Sequence, residues 1–390
     1  MLLPGTGAAL LAAQLSLVSF SASAVDETTP PYTIPESEVI VSALDALIAR
    51  EGLAGLAVAV IDKGEISHVS AHGVRDKANN LPLTPDTIMY GASFTKTLST
   101  HMALQLRDKG QLPFDTPIAE LLPKPLPAYD SWTLLKEDPE WADLTIRIIT
   151  SHTTGLANLR FLEPDRDLKF HRTPGSQFGY SGEGYYILQT VVEEGLGLDF
   201  KALSKDLILD PLGMTNTSLQ WRDDFAQNMA DGFDLQGKQH PHDDRSNVSA
   251  SGSMDTTIAD QARFWRALVT GWGLSEDSFK DMITPQIAIR SKAQFPTLIE
   301  ETSDKGPAVG LAAALGMITY LDQYLGQVVF KGGHNFMTGN QALCLPETKR
   351  CLVMMSNDVR SERFYPEIAD LILGPNQIPW WWIYPGYFGD

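Results

Sequence analysis

The sequence predicts an α/β fold of the α+β kind: an antiparallel sheet built from both termini, flanked by helices, with an inserted mainly helical domain. Three observations predict it. Strand-like apolar runs sit near the two ends, at residues 56–61 and again between 316 and 356. Helix-period stretches fill the middle, at 184–195, 200–209 and 258–269. A tight turn, Lys63-Gly64, folds the first strand back on residues 66–71 as a hairpin.

Taken in order, residues 1–24 read as a signal peptide. An apolar run, 8–20, precedes Ala22-Ser23-Ala24, a small-residue cleavage pattern. The run is too short to span a membrane. Residues 25–35 form an extended lead-in. Residues 37–52 read as an amphipathic helix with Val39, Ile40, Ala43, Leu44, Leu47 and Ile48 on one stripe. The stretch 87–98 starts β-prone, passes Gly91 and becomes helical from Ser93 to about Lys109, with Gly110 as its C-cap. Residues 112–127 are Pro-rich and irregular, Pro211-Leu212-Gly213-Met214 breaks a helix, 231–244 is a polar loop, and 287–308 lacks a clear pattern. Strands return at 316–321, 326–331, 340–345 and 351–356, and a last helix covers 362–373. The expected domains are 36–120 with 309–373, an insertion at 121–308, and an aromatic tail at 374–390.

The chain has 390 residues and a formal charge of −18, which argues against nucleic acid and anionic membrane as partners. The leader points to secretion. Two glycosylation sequons, at Asn216 and Asn247, fit that route. The two cysteines, Cys344 and Cys351, face each other if Glu347-Thr348 is a hairpin turn. A secreted chain would oxidise them; the alternative is a pair of reduced strand cysteines.

Ser93 and Lys96 are three residues apart at a helix start. They share a face, and the helix N-terminus favours a nearby negative charge. Hydroxyl, base and oxyanion donor in one turn make an activated nucleophile. Alone, the pattern also describes an N-capping serine followed by a solvated lysine. Two further stretches stand out: Pro174-Gly175-Ser176-Gln177-Phe178-Gly179-Tyr180-Ser181-Gly182 and Lys331-Gly332-Gly333-His334.

Together the three stretches resemble the serine β-lactamase and penicillin-binding-protein superfamily, in particular class C β-lactamases and related esterases and D-aminopeptidases. Ser93-Phe94-Thr95-Lys96, Tyr180-Ser181-Gly182 and Lys331-Gly332-Gly333 stand in the family's order. Residues 151–156, 211–214 and 250–257 are similar too, and the likeness covers about 36–373. The resemblance implies a β-lactamase/transpeptidase-like fold, Ser93 as acylated nucleophile and Lys96 as its base. It implies Tyr180 as proton shuttle with a lowered pKa between two lysines, and Lys331 as its partner and an anchor for an anionic substrate group. The backbone N–H groups of Ser93 and His334 would form the oxyanion hole.

Two departures stand out. Gly182 replaces the family's asparagine and Gly332 its hydroxyl residue. Gly182, Gly332 and Gly333 are therefore expected to line a widened substrate cleft. That favours a serine hydrolase acting on a neutral ester or amide with an apolar part. Acyl transfer in secondary metabolism, true β-lactamase activity and a degenerate ligand-binding member are the alternatives. No cofactor or metal is implied. His240-Pro241-His242-Asp243-Asp244 reads as an exposed loop, His152 as a structural histidine, and Gly179-Tyr180-Ser181-Gly182-Glu183 fails the α/β-hydrolase elbow at its last position. The Trp380-Trp381-Trp382 run is either a tail packed on the body or the wall of an apolar pocket.

Overall fold

The computed structural model describes residues 32–163 and 165–389. The expected signal peptide and most of the lead-in lie outside the described residues.

Helix α1 (Ser37–Glu51) leads into β1 (Gly55–Asp62), β2 (Glu65–Asp76) and the short β3 (Leu81–Pro82). Helix α2 (Phe94–Asp108) follows. The middle of the chain holds α3 (Gly182–Thr190) and α4 (Ile258–Val269), then the short strands β4 (Ile287–Ala288) and β5 (Ala312–Ala313). Four longer strands follow: β6 (Ile318–Asp322), β7 (Gly326–His334), β8 (Gly339–Leu345) and β9 (Arg350–Ser356). Helix α5 (Tyr365–Leu373) ends this run. The strands form one nine-stranded sheet in the order β3-β2-β1-β9-β8-β7-β6-β5-β4. Every neighbouring pair is antiparallel. The two ends of the chain therefore meet at the β1–β9 seam, as expected. Strand β4 comes from the stretch read as part of the insertion.

Both faces of the sheet are covered. Along β1, Leu56, Val58 and Val60 enter one core with Ile40, Leu44 and Leu47 of α1 and Tyr365, Ile368 and Ile372 of α5. Ala57, Ala59 and Ile61 enter the other, with Phe94 and Leu98 of α2 and Ile258 and Trp265 of α4. The period-two alternation of a strand puts successive side chains on opposite faces. Val39, expected on the buried stripe of α1, is exposed instead.

Helix α2 is buried on all sides from Phe94 to Leu106. Its polar side chains must then find partners inside the protein. Thr97 Oγ1 donates to Gly316 O at 3.0 Å, Ser99 Oγ to Ala250 O at 2.9 Å, and Thr100 Oγ1 pairs with Tyr185 OH at 2.9 Å. These bonds pin the helix between the sheet and the insertion, and so fix where its N-terminus points.

Several boundaries shift for local reasons. Residues 359–364 form a 3₁₀ turn before α5, because Pro366 fits only in a helix's first turn. The polar loop 231–244 contains a small hairpin that pairs Gly232–Phe233 with Gln239–His240.

Cys344 and Cys351 are register partners across β8 and β9 and form a disulfide, with Cα atoms 4.1 Å apart. The closed loop is short, so the chain-entropy model assigns it about 2.5 kcal/mol of stability. A Cys344→Ala/Cys351→Ala double variant should lose about that much in urea unfolding, with an unchanged m-value. A loss below about 0.5 kcal/mol would mean that the ladder, not the bridge, holds this hairpin.

Candidate active site

Ser93 is delivered by a strained corner. Met89–Tyr90 pairs with Asp255–Thr256, and Gly91 N donates to Met254 O at 2.8 Å. A Cβ at Gly91 would lie 2.8 Å from Met254 Cε and 3.2 Å from Met254 O, so the corner is tight around this glycine. Ala92 then takes φ +46°, a left-handed conformation that costs a non-glycine residue free energy and that clusters at functional sites. Ser93 follows as the residue before α2. Its hydroxyl caps no helix amide, which removes the N-cap reading.

Lys96 is buried rather than solvated. Its Nζ lies 3.2 Å from Ser93 Oγ, 2.8 Å from Ser251 O and 2.9 Å from Ser251 Oγ. Burial lowers its pKa to about 7. A neutral amine has two N–H donors and one lone pair. The two oxygens of Ser251 take the donors, which leaves the lone pair for the Ser93 hydroxyl. Ser251 was not singled out as a site residue; only its stretch, 250–257, pointed there.

Tyr180 and Lys331 complete the cluster. Lys331 Nζ lies 3.0 Å from Tyr180 OH and donates to Gly332 O at 2.7 Å. The expected lowering of the Tyr180 pKa is wrong. Burial pushes it up, and the neighbouring Ser93 hydroxyl offsets only part of that. Burial also pushes Lys331 well below its usual value, helped by the nearby Lys96 charge. The Lys331 amine donates to the Tyr180 oxygen, and burial favours the neutral phenol. Lys331 is too enclosed to offer a cation to a substrate.

His152 is buried, with φ +55°, and stacks on Tyr180 at 4.2 Å between ring centroids. Its Nδ1 accepts from Ser181 N at 3.1 Å, and burial holds it well below its usual pKa. Its place is structural, behind the phenol. Ser181 Oγ is spent on Ala157 O and on capping Gly184 N, which excludes it as a nucleophile.

Gly333 runs against the start of α2. A Cβ there would meet Gly91 O at 2.9 Å and Ser93 N at 3.0 Å, so glycine is required for the approach. The Ser93 N–H has no acceptor among the described residues and remains available for an oxyanion. The next residue, His334, sets its Nδ1 3.2 Å from buried Glu362 Oε1, while its side chain is 41% exposed.

The other two glycines do not open the cleft. A Cβ at Gly182 would meet Leu159 Cδ2 at 2.7 Å, Ser251 Oγ at 2.8 Å and Asn158 O at 2.9 Å. Gly182 lies at the start of α3 and is buried. Over Gly332, Gln341 Oε1 would lie at 3.1 Å and is itself held by Tyr384 OH of the C-terminal tail. The tail packs on the body, and it also reaches the edge of the site. Trp382 is fully buried in a core, and Ile383 and Tyr384 wall a small void beside Ser93 with Phe295 and Gly332.

Ser93 and Lys96 open on the other side into a cavity of about 1020 Å³. Exposed Phe161, Leu162 and Phe336 line it, so its rim is apolar. Asn247 is exposed at this rim, and Asn216 is partly buried beside Asp260. Among the described residues no cluster could hold a metal. The loop histidines are used internally, and His242 is not exposed: its Nε2 lies 3.0 Å from buried Asp255 Oδ1.

A family model described as Beta-lactamase matches residues 40–376, and the chain belongs to that family. An unguisins hydrolase of Aspergillus violaceofuscus is 27% identical over 245 residues, 55% of this chain and 42% of that protein. The D-alanyl-D-alanine-carboxypeptidase/endopeptidase AmpH of Escherichia coli is 23% identical over 303 residues, 72% of this chain and 74% of that one. The chain spans about half the length of the first curated relatives it matches. The octameric penicillin-binding protein homologue of Pyrococcus abyssi superposes with a TM-score of 0.66 at 21% identity, over 82% of this chain and 73% of that one. At that identity the likeness is one of fold.

The Lys96 geometry makes a pH prediction. Below a pKa of about 7 the amine is protonated and cannot accept the Ser93 proton. Acylation of Ser93 by a fluorophosphonate should therefore fall about tenfold per pH unit below neutrality and level off above it. A rate constant that stays flat from about pH 5 to about pH 8 would exclude Lys96 as the base.

Proposed function

We propose that this beta-lactamase-family chain is a serine hydrolase that forms an acyl-enzyme on Ser93 with a neutral ester or amide bearing a sizeable apolar part. The observation that carries the reading is the Ser93 hydroxyl 3.2 Å from a buried amine whose pKa is lowered to about 7. Ser93 Oγ attacks the substrate carbonyl carbon as its proton passes to Lys96. The carbonyl oxygen, now an anion, turns to the Ser93 N–H, with the His334 N–H as the expected second donor. The proton then returns to the leaving oxygen or nitrogen through the Tyr180 hydroxyl, which gives one proton as it takes another. The carbon–leaving-group bond breaks, and water repeats the sequence on the acyl-enzyme.

The apolar rim supports an apolar acyl group, and the absence of an accessible cation at Lys96 and Lys331 supports a neutral one. The glycines at 182 and 332 argue against efficient β-lactam turnover, since neither position presents a polar side chain to the cleft, and at Gly182 backbone Asn158 O leaves no room for one. Relatives named as a hydrolase and as a carboxypeptidase/endopeptidase support hydrolysis. The disulfide supports the secretory route.

Fluorophosphonate labelling should place the adduct on Ser93, and Ser93→Ala should abolish both label and turnover while the fold persists. Mapping of the adduct to another serine refutes the reading. Tyr180→Phe should slow turnover about a hundredfold or more. In the wild type, kcat/KM for p-nitrophenyl butyrate should exceed that for nitrocefin; the reverse order restores the β-lactamase alternative.

A further inference from the structure

We propose that the His334 imidazole, backed by the buried Glu362 carboxyl, is the base that draws a proton from the hydrolytic water and so frees the acyl group from Ser93. This rests on the Ser93 acyl-enzyme reading. The order of attack and collapse is the one already given, and the pair supplies the base of its second half.

His334 ends β7, one residue beyond the glycine that lies against Ser93 N. Its Nδ1 is 3.2 Å from Oε1 of Glu362, which stands in the 3₁₀ turn before α5. Glu362 is buried, and among the described residues His334 is the one hydrogen-bond partner of its side chain. Burying a carboxyl with a single partner costs free energy, and the partner here is an imidazole that is 41% exposed. The carboxyl gives that imidazole a direction. With Nδ1 turned to Glu362, Nε2 is the free nitrogen, and it has no partner among the described residues.

The void beside Ser93 suits a water. It measures about 20 Å³, enough for one molecule, and Ser93, Tyr180, Gly333 and His334 bound it. Lys96, the base of the first half, does not border it. Tyr180 does, but its oxygen already accepts from Lys331, and burial holds it as a neutral phenol, a weak base. Gln294 offers a carboxamide, which can hold a water but not take its proton. Among the described residues on this wall, the imidazole is the basic side chain left, and imidazole suits proton transfer at neutral pH. The water oxygen bonds the acyl carbon as one of its protons passes to His334 Nε2. Glu362 faces the imidazolium that forms and offsets its charge. The bond between that carbon and Ser93 Oγ then breaks, and Nε2 gives the proton to Oγ. The serine hydroxyl is restored and the free acid leaves.

The test follows p-nitrophenyl butyrate through its first turnover. In His334→Gln, kcat should fall about a hundredfold or more, while p-nitrophenol appears in a stoichiometric burst and butyryl-Ser93 accumulates in intact-mass spectra. Fluorophosphonate labelling of Ser93 should fall far less, because the backbone N–H at 334 stays. Glu362→Gln keeps an oxygen for Nδ1 and removes the charge, so kcat should fall about tenfold or more with the same burst. A wild-type kcat in either variant overturns the proposal. So does a loss of kcat in which labelling falls equally and no acyl-enzyme builds up, because that makes the pair a prop for the Ser93 corner. Failure of the acyl-enzyme reading looks different: wild-type Ser93 takes neither the label nor the butyryl group.

Discussion

A lysine amine buried with no carboxylate beside it among the described residues is the constraint on which the site depends. Charging Lys96 in the interior is costly, so the protein shifts it towards the neutral form and meets its two N–H donors with the oxygens of one residue, Ser251. The same enclosure holds Lys331 and His152 towards neutrality and keeps Tyr180 a phenol. Four groups that could carry charge are thus arranged so that little is carried at rest. A negative charge appearing at a substrate oxygen would then find low dielectric around it and a fixed N–H at Ser93 in front of it. The burial of α2, with its polar residues bonded to three separate segments, keeps these groups in place.

Much of this was legible in the sequence because it is local. The spacing of Ser93 and Lys96 needs only a helix, the alternation in β1 only a strand, and the Cys344–Cys351 pairing only a hairpin. What was not legible is set by residues far apart in the chain. Glycine at 182 and 332 reads as space, yet Leu159, Ser251 and Gln341 occupy that space. Two lysines beside a tyrosine suggest a lowered phenol pKa, yet the sign follows from how much water burial removes, and burial is a property of the whole fold.

The C-terminal tail shows how one segment both completes a core and shapes a site. Trp382 packs against Phe178 and Phe330, and its Nε1 reaches Ser291 Oγ at 3.2 Å. Its O accepts from Gln294 N at 3.0 Å, next to Phe295, whose ring lies 5.4 Å from that of Tyr180. The poorly patterned 287–308 segment is thus held from outside by the tail. Together they close the Lys331 side of the nucleophile and leave the Asn158 side open.

The alternation along β1 has a mechanical consequence. Odd and even residues of one strand belong to different cores, one closed by α1 and α5 and the other by α2, α4 and the insertion. Neither core can loosen without dragging the central strand out of the other. The β1–β9 seam, which joins segments nearly 300 residues apart, lies on the boundary that both cores share.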